Sequence, residues 1–336
     1  MMYLMPRESG KIIAELSKNV SINEGGIKTL AHAILAEKDL ALNVNNFSQH
    51  EFHPSAEDAH AVDWIFVLDT LNYSFWSKAD STKWTVNGLT GYFALCAAVK
   101  RAIDEGKPII DPKYYSKITR IEAEEIFRGD NDTIIPLLDE RVKCLRDAGR
   151  ILLSRYKGTF VECIKSCDGS AEQLLKLVVN EFESYQDATE YEGHSVSFYK
   201  RAQILIGDVW ACFKGEGIGK FHDIDYITMF ADYRIPQVLV SFDAIRYNNI
   251  LLSKLQSDLE LENGSNDEIE IRGCSIEAIE RIRDKMRYLI EENPDLGLKK
   301  TDINAILIDH FLWDYRRKHA AQLQSIPFHK TRCIYY

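Results

Sequence analysis

Positive charge is scarce in this sequence of 336 residues: Lys and Arg total 41 against 51 Asp and Glu, a net charge of −10. Binding along a nucleic-acid backbone needs a field of Lys and Arg, so that class of function is disfavoured, while a local basic pocket for one phosphate is not. Long apolar runs are missing as well. No stretch of about 18 apolar residues occurs, so no membrane span is expected. The opening MMYLMPRESGK lacks the apolar core of a signal peptide. Paired cysteine patterns are also absent. Cys96, Cys144, Cys163, Cys167, Cys212, Cys274 and Cys333 are scattered and odd in number, which reads as reduced core thiols in a cytosolic protein.

Several chemical signatures are approached and not met. GEGIGK (215–220) lacks the spacing of a phosphate loop and follows a helix rather than a strand. HEFH (50–53) sets its histidines three apart, not four, and Pro54 follows. CIKSC (163–167) has no second cysteine pair. No G-x-S-x-G elbow is present. Neither a metal nor a cofactor is expected.

What is there is mostly helix. Apolar spacing and end signals predict helices over 91–108, 136–156, 170–179 (Ser170 as N-cap), 197–210, 275–293 and 301–319 (Thr301 as N-cap). Strand evidence is thin: Asn87-Gly88 in KWTVNGLTGY predicts a type I′ hairpin, and the alternation in EIEIR (268–272) suggests one more strand. KGEGIGKFHD (214–223) and LENGSNDE (261–268) read as surface loops. The expectation is a mainly α protein with a small β element. The length suits two domains or one large domain with lobes.

Carboxylates in apolar surroundings carry the functional signal. In ITMFADYRIPQVL (227–239), Asp232 stands among apolar residues, where a carboxylate is costly unless paired, hydrogen-bonded or used. A plain ion pair with Arg234 would explain it. On a wheel of the last helix with Ile303 at zero, Asp314 falls at about 20°, mid-stripe, and Asp309 on the flank at about 240°. Asp314 then needs either an internal salt bridge, to Arg332 or Arg316, or a ligand's N–H groups. In DWIFVLDTLNYSFWS (63–77), Phe75 and Trp76 could stack on a planar base or simply be core.

MPRESGK (5–11), DTLNYSFWS (69–77), GYFALCAAVKRAIDEG (91–106), VSFYKRAQIL (196–205), ITMFADYRIPQVL, EIRGCSI (270–276) and IPFHKTRCIYY (326–336) together resemble the queuosine salvage protein family, in colinear order from residue 5 to the end. The resemblance departs at HEFHPSAED (50–58), where His50 rather than His53 keeps the spacing to Pro54. It implies a helical, DNA-glycosylase-like fold forming one unit over 1–336, with two helical lobes around a central cleft. It also implies an N-glycosidase that frees queuine from queuosine 5′-phosphate. The −10 charge agrees with a mononucleotide substrate and no direct nucleic-acid binding. By family position, Asp232 is the catalytic carboxylate. His50, Phe230, Asp232, Asp309, His310 (where the family often has Tyr) and Asp314 form the base pocket. Lys200 with Arg201, or Arg234, are phosphate candidates by charge. A cytoplasmic monomer without cofactor is expected. A binding protein without chemistry, or a glycosylase acting on nucleic acid, are the alternatives.

Overall fold

The computed structural model describes residues 3–37, 47, 50–78 and 80–336. Among the described residues run fourteen α-helices and three antiparallel two-stranded sheets, so the protein is mainly α with small β elements. The chain forms two compact units. The first comprises Met1–Asn43, Asp187–Lys200 and Ile227–Arg332, and the second Val44–Gln186, Arg201–Tyr226 and Cys333–Tyr336.

The first unit is built on the 27-residue helix Asn266–Glu292, against which Pro6–Leu16 packs. Glycines allow that approach. A Cβ on Gly273 would lie 2.5 Å from Ile13 Cγ2, and one on Gly10 2.7 Å from Ile276 Cγ2, closer than any methyl tolerates. MPRESGK and EIRGCSI are therefore the two sides of one helix contact. Ile13, Leu30, Ile34, Ile271, Ile279, Ile282, Ile308 and Leu312 belong to the core around it.

EIEIR is not a strand; it lies inside that long helix. Its alternation arises because the helix is buried all round and its charges are satisfied internally. Glu268, Glu270 and Arg272 are each 1% exposed. Glu270 accepts from Ser17 Oγ (2.8 Å) and the Lys18 and Asn19 N–H groups (3.1 and 2.6 Å) through Oε2, and from the Tyr191 hydroxyl (3.0 Å) through Oε1. Strands Val20–Ile22 and Ile245–Tyr247 pair across the unit. Ala188–Tyr191 and His194–Ser197 form a hairpin whose turn residues Glu192 and Gly193 have φ of 47° and 82°. That hairpin delays the predicted 197–210 helix to Lys200–Cys212.

In the second unit the predicted helices appear as Tyr92–Asp104, Leu138–Arg155 and Ala171–Glu181, the last capped by Ser170, whose hydroxyl accepts the Gln173 N–H at 3.2 Å. The Asn87-Gly88 hairpin forms, with both φ values positive (52° and 71°) and both N–H groups donating to Asp130. DTLNYSFWS leaves helix Ala61–Thr70 and runs buried without regular structure, so its carbonyls need donors from elsewhere. Arg141 donates to the carbonyls of Leu71 and Tyr73, and Arg201 to that of Thr70. Both guanidiniums lie over the Tyr73 ring, 4.2 and 5.0 Å from its centroid. The Ser74 N–H and Oγ reach the carbonyls of Tyr336 and Cys333 (2.8 and 2.7 Å). Trp76 is core at 3% exposure, and Phe75 is half-buried.

All seven cysteines are buried; burial pushes the Cys212 and Cys274 thiols up to about 12, which keeps them unreactive. No helix of the described residues is long and apolar enough to cross a membrane.

Candidate functional site

Residues 227–234 of the first unit, ITMFADYR, form neither helix nor strand. They are held by side chains from the two long helices of that unit. Thr228 Oγ1 donates to Glu280 (2.5 Å), the Phe230 N–H donates to Asp309 Oδ2 (3.0 Å), and Arg272 Nε donates to the Ala231 carbonyl (3.0 Å). Arg272 is itself fixed in a buried triad, with Asp187 at 2.6 Å and Glu268 at 3.0 Å. A short irregular stretch thereby acquires the rigidity that a reactive side chain requires.

Asp232 lies two residues before the end of this stretch, half-buried. Its Oδ1 accepts the N–H groups of Arg234 (2.7 Å) and Ile235 (3.0 Å), capping the helix Ile235–Ser241. Oδ2 makes no hydrogen bond within the described residues. Of the explanations open for Asp232, an ion pair with Arg234 is not formed; the contact is with that residue's backbone N–H. The guanidinium turns away, 4.1 Å over the Phe328 ring and 5.2 Å from the Tyr233 centroid.

The terminal helix spans Ala305–Lys318, capped by Asn304, whose Oδ1 accepts the Leu307 N–H at 2.9 Å. Thr301 sits in a preceding 3-10 turn instead. The wheel places Ile306 and Leu307 on the core side, where both are buried, but it reverses the order of the two acids. Ala305, Ile308, Asp309 and Leu312 are buried, while His310, Phe311 and Asp314 are half-buried. The run AILI is apolar all round, so periodicity alone could not say which side faces the core. Asp309, at 4% exposure, is the buried acid. Burial first, and then the nearby Asp232 charge, push its carboxyl well above the usual range, against the Phe230 N–H and Lys200, which favour the ionised form. Asp314 makes no ion pair within the described residues, so neither Arg316 nor Arg332 is its salt-bridge partner. Desolvation raises it, with Arg317 and Lys318 pulling the other way.

Phe230 is buried at 2% exposure and packs 5.9 Å from the His310 ring. Lys200 is buried, its backbone N–H on Asp187 Oδ2 (3.1 Å). These residues share the first unit with Asp232. His50 and Arg201 belong to the second. His50 stacks on Phe93 with centroids 3.8 Å apart. Arg201, 1% exposed, donates to the carbonyls of Thr70 and Ser184 and lies over the Tyr185 ring.

Three participants escaped the sequence reading. Arg272 hid in a supposed strand. Arg316 was weighed only as a partner for Asp314. Gln237, 2% exposed, carries no signal in a sequence, yet its amide nitrogen Nε2 donates to the Ile326 carbonyl (2.6 Å) and its Oε1 accepts from Arg234 Nη1 and Arg316 Nε, both at 3.2 Å.

Desolvation holds His310 down at about 4, and desolvation together with Arg272 holds His329 down at about 3. An unfolded histidine takes up its proton near 6.5. Between about pH 6.5 and 4 the unfolded chain therefore binds protons that the folded chain refuses, and stability falls as pH falls through that window. The melting temperature should drop steadily from pH 7 to pH 5, and the drop should shrink in His310→Phe. An unchanged slope in that variant would mean that His310 protonates freely in the fold.

A model of the queuosine salvage protein family matches residues 52–336. Queuosine 5′-phosphate N-glycosylase/hydrolase of Bos taurus is 49% identical over 340 residues, covering 99% of this chain and 99% of that protein. The protein of the same name from Schizosaccharomyces pombe is 35% identical (98% and 99% covered), and that from Sphaerobacter thermophilus 34% (96% and 95%). The likeness thus runs through both compact units, and the family match spans the 227–332 segment that carries Asp232.

Proposed function

The chain belongs to the queuosine salvage protein family, and on that premise we propose that it is an N-glycosidase that hydrolyses queuosine 5′-phosphate to queuine and ribose 5-phosphate. One observation carries the reading: a carboxylate held through Oδ1 by two backbone N–H groups, with Oδ2 left open. Breaking an N-glycosidic bond builds positive charge on the ribose, and a fixed carboxylate in a poorly hydrated site stabilises that charge better than mobile water does. Asp232 takes this part, facing the anomeric carbon. Water supplies the hydroxyl that ends there, and its proton leaves with the base.

The remaining residues serve recognition. Queuine presents N–H donors on its base and an amine on its side chain, which suits the acidic acceptors Asp309 and Asp314. His310, neutral at pH 7, and the Phe230 ring line the base. Lys200 and Arg234 are the cations for the 5′-phosphate. The enzyme works in the cytoplasm as a monomer, on the free nucleotide and without a cofactor; the net charge of −10 supports a mononucleotide over a transfer RNA.

The test is a mass balance. Purified protein incubated with queuosine 5′-phosphate should release queuine and ribose 5-phosphate one for one. Tight queuine binding with no release would make this a binding protein. Release only from intact transfer RNA, with strong salt dependence, would make it a nucleic-acid glycosylase.

A further inference from the structure

One helix grips the segment before Asp232 at both ends. Thr228 donates its hydroxyl to Glu280, and the Ala231 carbonyl accepts from Arg272. Along the helix axis those two residues lie about 12 Å apart, and the chain from Thr228 to Ala231 reaches about 10 Å when extended. A segment pinned at both ends over such a span has little slack, and Asp232 follows it directly. The Glu280 grip is costly to maintain. Glu280 is 5% exposed, and desolvation raises its carboxyl above the ordinary range; Arg7, Arg283 and the Thr228 hydroxyl pull the other way, while Asp284 adds to the rise. Arg283, on the same helix, is shared with Asp284, its Nη2 lying 2.8 Å from Oδ1. Arg7 comes from the helix Pro6–Leu16, and its Nε lies 2.8 Å from Glu280 Oε2. Packing sets it there. Ile13 lies against Gly273 and Gly10 against Ile276, and one turn further back the same antiparallel register brings Arg7 to Glu280. With Oε2 facing two guanidiniums, Oε1 accepts the Thr228 hydroxyl at 2.5 Å, and an ionised acceptor makes that the stronger kind of hydrogen bond.

We infer that Arg7 is a positioning residue: paired with Glu280, it fixes Thr228 and through it the segment that carries Asp232, so that the N-terminal helix serves the chemistry as well as the fold. The inference rests on the proposed reaction of Asp232 and adds to it a residue that acts only through two others. Without Arg7 the buried carboxylate keeps one shared cation and moves towards its neutral form. A neutral carboxyl holds the Thr228 hydroxyl less firmly. The segment then gains slack at its Glu280 end, and Asp232 spends less time at the position where it meets the developing charge.

The experiment reads two quantities in Arg7→Gln, Thr228→Val and their combination, well below each melting transition: kcat on queuosine 5′-phosphate, and amide hydrogen exchange of the peptide covering 227–234. Arg283 still faces Glu280 in Arg7→Gln, and Val has nearly the shape of Thr, so both variants should fold. Each should lower kcat about 10-fold, change KM less than about 2-fold, and speed exchange of the peptide about 10-fold. Because both act through Glu280, the combination should be no slower than the slower single variant, and not down about 100-fold. Thr228→Ser should restore kcat, and Arg7→Lys, which keeps the charge without the fork, should restore part of it. Should Arg7→Gln not fold, Arg7→Lys takes its place in the cycle, and wild-type kcat and exchange in it would overturn the inference. Unchanged exchange in the variants overturns it whatever the wild type does. A loss of about 100-fold in the combination also overturns it, because Arg7 and Thr228 would then act separately. If wild type releases no queuine while exchange of the peptide still depends on Arg7 and Thr228, the reaction is wrong and the brace stands.

Discussion

Asp232→Asn should give a folded protein that binds queuine and turns over queuosine 5′-phosphate on the order of 10³-fold more slowly than wild type. The substitution separates charge from structure. Asn retains an oxygen to accept the Arg234 and Ile235 N–H groups, so the cap on Ile235–Ser241 survives and the melting temperature should hardly move. Only the open oxygen is replaced, by an uncharged amide that cannot stabilise a cationic ribose. A second readout is built in. Asp232 is the largest charge cause of the raised Asp309 carboxyl, so the variant should show Asp309 shifted down towards the ordinary carboxylate range, as followed by its carboxyl resonance against pH. Turnover at the wild-type rate would remove Asp232 from the chemistry whatever the fold. Loss of turnover together with the melting transition would say that the cap was the whole of its role.

The parts of this protein legible in its sequence are those governed by local rules. The Asn87-Gly88 turn follows from positive φ at two consecutive residues, and the Ser170 cap from one orphan N–H group. Both depend on a few adjacent residues and on nothing distant. The pairing of Val20–Ile22 with Ile245–Tyr247 joins segments more than 200 positions apart and leaves no local trace. EIEIR misleads for a related reason. Period-2 alternation implies a half-buried strand only when its polar residues meet water, whereas Glu268, Glu270 and Arg272 meet one another, Asp187, Tyr191, the Ser17 hydroxyl and the Lys18 and Asn19 N–H groups.

The site divides in the same way. Asp232 stood out because a carboxylate in apolar sequence demands a reason, and the structure supplies half of one in its cap and leaves the other half open. Asp309 and Asp314 were recognised as acids of interest but ranked in the wrong order of burial, since AILI gives a helical wheel no polar side from which to fix its zero. Gln237 could not have been found: an amide between two guanidiniums is a property of two distant chain segments meeting.

Arg272 should have the second largest effect, and it links the fold to the site. Arg272→Met strands two buried carboxylates, Asp187 and Glu268, and should cost about 3–5 kcal/mol, a large share of the roughly 5–15 kcal/mol that holds a typical domain together. That result alone would be structural. The informative variant is Arg272→Met combined with Asp187→Asn and Glu268→Gln, which removes the stranded charges as well. Buried ion networks replaced by neutral groups of similar size commonly recover their stability, so the triple variant should melt close to wild type. The Ala231 carbonyl, however, still lacks its donor from Arg272, and the residue after it is Asp232. A lost hydrogen bond of about 1–1.5 kcal/mol at that point should leave kcat roughly 10-fold low in a stable protein. Recovery of stability and kcat together would make the triad a feature of the fold only. Recovery of stability without kcat identifies Arg272 as the residue that positions Asp232, and explains why a charge buried in the core of one helix bears on chemistry carried out at the end of an irregular loop.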